Sequence, residues 1–142
     1  MLFKLKRRIP VFLVALLILS MFSANVLAAS SKYKFDMKQR VVDGKKNKEF
    51  HNLSAGNAYI SGSHRIYQSK YPDAKKEKIH YTLVENKLGF DKEISTITKP
   101  NNSYNTSVSG GFGKINKGKY YLRIWKTNRD WHYTEGSGTV RN

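Results

Sequence analysis

The chain has 142 residues, no cysteine, and 26 Lys and Arg against 10 Asp and Glu. Without cysteine there are no disulfides, thiol nucleophiles or zinc–thiolate sites, so the fold rests on its core alone. A formal charge of +16 bears on partners rather than on fold. It favours polyanions: cell-wall polymers, acidic polysaccharides, anionic membrane surfaces and, lower in the ranking, nucleic acids.

Residues 1–29 read as a cleavable secretory signal peptide. Lys4, Lys6, Arg7 and Arg8 form a basic start, an apolar run follows from Ile9 to about Phe22, and Val26 and Ala28 offer the small residues a signal peptidase requires. Cleavage is expected after Ala28 or Ala29. The run is about 14 residues, short of the roughly 20 that a membrane-spanning helix needs. A secreted, extracellular protein follows, bacterial in character because it dispenses with disulfides. Removal of the leader takes away four basic residues and no acidic one. Residues 30–142 then hold 22 basic and 10 acidic side chains, a net charge of +12, and suffice for one domain but not two.

From Lys32 to Val42, Tyr33, Phe35, Met37 and Val41 share one face and basic residues the other, which is the period of a half-buried strand. Asp43-Gly44 opens a turn, and Lys45, Lys46 and Lys48 fill a polar loop. Ala58 to Tyr67 alternates again, with neither face clearly apolar. Ser69 to Lys78 reads as an exposed connection carrying Lys75, Lys76 and Lys78. Ile79, Tyr81 and Leu83 line the next strand, a turn follows around Asn86 to Gly89, and Lys92 to Thr98 returns.

Tyr104, Thr106, Val108, Gly110 and Phe112 then share a face, and the loop Asn116-Lys117-Gly118 predicts a hairpin with the strand Lys119 to Thr127. A last strand runs from about Trp131 to Val140, where Gly136 and Gly138 predict a bulge or close packing. About seven short strands without a clear helical window predict an all-β fold, an antiparallel β-sandwich or small barrel. The run Lys117–Ile124 resembles a Gly-x-Tyr-x-Leu-x-Ile strand that recurs near the ends of bacterial secreted β-sandwich modules, and it supports the same fold.

In the strand Lys119 to Thr127, Leu122 and Ile124 mark the inward side, so Tyr121, Arg123 and Trp125 are expected outward. Two aromatics around a guanidinium make a platform that stacks on sugars or bases while the cation meets an anion. Trp131 and Tyr133 are expected to extend it on a neighbouring strand. Lys114, Lys117 and Lys119 form a third lysine group at a turn. Lysine turns gathered at one end of a sandwich would build a polyanion site weakened by salt.

Catalytic signals are sparse. No two of His51, His64, His80 and His132 have a metal-ligand spacing, there is no Gly-x-Ser-x-Gly elbow, and no cofactor motif occurs. A secreted ribonuclease would require a base, an acid and a phosphate-binding cation. Only His80 with Glu85, or His132 with Glu135 and Arg123, offer such a set. Three acceptor patterns for N-glycosylation are at the chance level for so much Asn and Ser. The ranking is therefore a binder of an anionic extracellular partner first, an antimicrobial effector acting on a competitor's envelope second, and a nuclease a distant third.

Overall fold

The computed structural model describes residues 29–142. Apart from Ala29, the signal peptide expected over residues 1–29 lies outside the described residues. The alternating segments form nine strands: β1 (Ser30–Met37), β2 (Val41–Asp43), β3 (His51–Leu53), β4 (Gly56–Ser69), β5 (Ile79–Glu85), β6 (Lys92–Lys99), β7 (Thr106–Ile115), β8 (Gly118–Trp125) and β9 (His132–Arg141). They make two antiparallel sheets, ordered β1-β9-β4-β7 and β2-β8-β5-β6, with β3 also on β8. The β-sandwich expected from the alternation is the fold.

Two of the expected connections differ. The stretch Lys32–Val42 is not one strand: β1 pairs with β9, Lys38-Gln39-Arg40 carries the chain across, and β2 pairs with β8 in the other sheet. Val41, expected on the buried face, is therefore exposed on the outside of the second sheet. β2 and β3 lie along the same edge of β8, and residues 44–50 loop out between them. Likewise β7 and β8 are not a hairpin within one sheet. β7 pairs with β4, β8 with β5, and Asn116-Lys117 bridges the two layers.

The alternation decides what fills the space between the sheets. Tyr33, Phe35, Met37, Ile60, Val108, Phe112 and Val140 project from one, and Leu53, Ile79, Tyr81, Leu83, Tyr120, Leu122 and Ile124 from the other. Each such side chain stabilises the fold by roughly 1.5–3 kcal/mol when fully buried. Tyr81 sits in the middle, edge-on to Tyr33 and Phe35 with ring centres 6.2 and 6.1 Å away. Its hydroxyl meets His64 Nδ1 at 2.7 Å, and His64 Nε2 lies 2.8 Å from the Pro100 carbonyl oxygen. A carbonyl only accepts, so Nε2 carries the proton and Tyr81 donates to Nδ1.

The glycines of β9 serve close packing rather than a bulge. A Cβ on Gly136 would stand 2.5 Å from Phe35 Cε1, and one on Gly138 would overlap the Ser61 carbonyl oxygen. The bulges fall elsewhere, at Phe112 of β7 opposite Ala58/Tyr59, at Tyr67 of β4 opposite Tyr133/Thr134, and at Ile94 of β6 opposite Leu83/Val84.

Strand directions place the connections at two ends. Residues 38–40, 70–78, 100–105 and 126–131 meet at one, the loop end. Residues 54–55, 86–91 and 116–117 meet at the other, the turn end.

Candidate functional site

The eight side chains singled out from the sequence occupy four separate places. Tyr121, Arg123 and Trp125 do face away from the core, on the outside of the second sheet. Trp131 precedes β9, which belongs to the first sheet, so it stands at the loop end. Tyr133 lies on the outside of the first sheet against Tyr67, with ring centres 6.3 Å apart. Lys114, Lys117 and Lys119 are exposed at the turn end. Trp131 and Tyr133 therefore do not extend the expected platform, because β8 and β9 are in different sheets.

The platform itself is only partly open. Tyr121 is 1 % exposed: the Phe50 ring meets it edge-on at 6.3 Å, and its hydroxyl donates to Asp91 Oδ2 at 3.0 Å. The loop of residues 44–50 brings Phe50 there, and the period-two pattern of β8 holds no sign of it. Arg123 is ion-paired with Glu93 and reaches Asp43 Oδ2 at 4.0 Å. Its charge is already answered, so it is not available to an anion in the way the sequence led us to expect. Trp125 is half-buried, its indole N–H donating to Thr82 Oγ1 at 3.0 Å and its ring stacked on His80 with centres 4.2 Å apart. A groove of about 310 Å³ runs past Arg40, Val41, Thr96 and Trp125. Hydroxyl groups, an indole, the paired Arg123 and the exposed Arg40, which has no carboxylate partner among the described residues, line it.

The charge is uncovered at the loop end. Trp131 has a φ of 60°, a left-handed backbone that a bulky residue rarely adopts. Its carbonyl accepts the Lys70 N–H at 3.0 Å, which fixes the loop 126–131 to the end of β4. Over its ring stand the Arg129 guanidinium at 3.7 Å and Lys70 Nζ at 5.0 Å, and Tyr71 meets it edge-on at 5.5 Å. Among the described residues neither Lys70 nor Arg129 has a carboxylate partner. Nothing in the sequence places Lys70 and Arg129 together, since they are separated by the whole of β5–β8.

Beneath this cluster lies a buried polar latch. Lys126 Nζ binds Asp130 Oδ1 at 2.8 Å and the His132 carbonyl oxygen at 2.6 Å, while Asp130 also accepts the N–H groups of Glu77 and His132. Burial pulls the Lys126 ammonium below its ordinary pKa, and its bond to Asp130 works against that. His132 Nε2 donates to the Ala74 carbonyl at 2.8 Å, and its Nδ1 meets Ser69 Oγ at 2.6 Å. The latch thus ties residues 69–77 to residues 126–132 and gives Trp131 its fixed place.

The histidines do not assemble into the acid–base sets read from the sequence. His80 and Glu85 are five positions apart along β5, roughly 16 Å at the rise of a strand, and Glu85 pairs with Lys87. Glu135 pairs with Arg65 on the first sheet, far from Arg123 on the second. His51, His64 and His132 are buried. Burial lowers His51 to a pKa of about 4 and shifts His64 in the same direction.

The lysine turns divide between the ends. Lys75, Lys76 and Lys78 lie at the loop end, Lys114, Lys117 and Lys119 at the turn end. Lys45 leans to the turn end, where it binds Asp91 Oδ2 at 2.7 Å, and Lys119 Nζ stands 4.1 Å from the centre of the Phe50 ring. Sequence reasoning passed over Leu88 and Phe90, both fully exposed at the turn end. Leu88 within the predicted turn and Phe90 directly after it were the signal for them. No protein-family model matches the chain, and a search of curated proteins found no match to it.

Proposed function

We propose that this is an exported binding protein whose partner is an anionic polymer or surface of the cell envelope. The observation that carries the reading is the convergence of Lys70 and Arg129 on the half-buried ring of Trp131 without a carboxylate between them. Like charges held together repel, and the repulsion is relieved when an anion joins them. The indole ring holds the Arg129 guanidinium at 3.7 Å and so keeps one of the two cations in place. The surplus of exposed lysine elsewhere, such as Lys75 and Lys76, draws a polyanion toward either end by long-range attraction.

Retention on an immobilised polyphosphate polymer tests this. The protein is expected to bind at low salt and to elute as salt rises, because each cation engaged displaces condensed counterions. The double substitution K70A/R129A is expected to shift elution to clearly lower salt while leaving the unfolding midpoint nearly unchanged, since both side chains are exposed. Unchanged elution of that variant defeats the reading. A second reading, an effector that acts on another cell's envelope, is favoured by one feature alone, the exposed apolar tip at the turn end.

A further inference from the structure

The β5–β6 connection ends in Leu88-Gly89-Phe90, where Leu88 is 105 % and Phe90 95 % exposed. Isolated apolar side chains at a surface are ordinary; two large ones, separated only by Gly89 and both almost wholly uncovered, are not. The tip is also held out by a firm base. The Asn86 N–H donates to the Lys119 carbonyl at 2.8 Å, and the Lys87 N–H donates to Asp91 Oδ1 at 3.2 Å. Asp91 further accepts from Lys45 Nζ and from the Tyr121 hydroxyl. That hydrogen-bonded ammonium holds the Asp91 carboxyl below the usual carboxylate range. Gly89 crosses the apex at a φ of 93° with open space around it.

The unanswered charges around the base have one sign. Lys92 follows the tip in the chain, and Lys117 and Lys119 stand on the adjoining turn, none of them paired with a carboxylate among the described residues. The acidic groups are turned inward and answered: Glu85 by Lys87 and Asp91 by Lys45, with side chains 15 % and 17 % exposed. A convex apolar point in a ring of lysines is a poor match for the flat face of another protein. It matches a soft layer with anionic headgroups above hydrocarbon.

We infer that the turn end docks on an anionic lipid bilayer, with Leu88 and Phe90 entering the acyl region and Lys92, Lys117 and Lys119 resting among the headgroups. The inference builds on the reading of the protein as an exported binder of anionic surfaces and names one such surface. Either signal alone is weak, as membrane anchoring needs an apolar insertion and a basic patch together. Each large apolar side chain moved into hydrocarbon raises partitioning roughly tenfold or more, and each lysine near an anionic leaflet raises it roughly fivefold.

The test uses protein recovered from the medium of expressing cells, sedimented with vesicles of phosphatidylcholine alone or mixed with equal parts of phosphatidylglycerol. Binding is expected to the anionic vesicles only. L88S/F90S is expected to lose it at least about tenfold while its elution from the polyphosphate column stays unchanged. The Trp of F90W should shift its emission to shorter wavelength on anionic vesicles and be quenched by lipids brominated in the acyl chain. Equal vesicle binding by L88S/F90S, or no quenching, overturns the inference. So does a dimer of the wild type that L88S/F90S abolishes, which would make the tip a contact between copies. A protein that holds the column but ignores vesicles defeats the inference alone, whereas one that ignores both defeats the underlying reading as well.

Discussion

At the loop end one lysine, Lys126, is buried against Asp130, whereas at the turn end Lys92, Lys117 and Lys119 stand in water around an apolar tip. The loop end has the longer connections, and they need something to hold them. The Lys126–Asp130–His132 network supplies it by accepting or donating at residues 69, 74, 77 and 132. The turn end has short connections held by backbone bonds and by Asp91, which leaves Lys92, Lys117 and Lys119 to act outward. The same residue type thus serves structure at one end and attraction at the other. What separates the two roles is burial: a charge removed from water must be paired, and a solvated one need not be.

Three substitutions or conditions sharpen this contrast, beginning with the one expected to matter most. Lys126→Met leaves Asp130 buried without its counter-charge, so urea unfolding should show a loss of about 3–5 kcal/mol. The paired change Lys126→Met with Asp130→Leu should recover part of that loss. An effect below about 1 kcal/mol would mean that the latch contributes little and that the two ends differ less than their geometry implies.

Acidification comes next and strikes both ends. His51, near the turn end, has a folded pKa of about 4 because burial disfavours its charged form, against an ordinary value of about 6.5. The unfolded chain therefore binds more protons between these values, and stability falls as pH drops from about 6.5 to 4, by up to about 3 kcal/mol. His64, beneath the loop end, is displaced in the same direction and adds to the fall. Urea midpoints measured across that window should decline, and His51→Asn should flatten the decline. A flat profile in the wild type would contradict burial of the two rings.

The smallest effect on folding belongs to the turn end. Lys117→Ala should change the unfolding free energy by less than about 0.5 kcal/mol. It should also lower the slope of log retention against log salt on the polyphosphate column by up to about one. A clear loss of stability here would show that turn-end lysines also hold structure.

The period-two alternation carried most of the fold on its own. Tyr33, Phe35 and Met37, then Ile79, Tyr81 and Leu83, then Tyr120, Leu122 and Ile124 are the buried faces where the pattern puts them. A sheet that buries one side must segregate its residues in this way, and segregation is a local property of the chain. The absence of cysteine and the excess of lysine are likewise plain in the composition.

Which strand joins which sheet is not local, and that is why Lys32–Val42 and the β7–β8 connection were misread. A chain that crosses between layers at Gln39 or Asn116 keeps its alternation and changes only its partners. For the same reason the outward course of Tyr121 was legible but its cover was not, since Phe50 arrives from another segment. Only the tertiary structure brought Lys70 and Arg129 onto Trp131 and buried Lys126, because a charge's burial depends on neighbours distant in the chain. The sequence by itself determined which residues alternate and how much charge the protein carries. The packing of two sheets decided which charges are answered and which face outward.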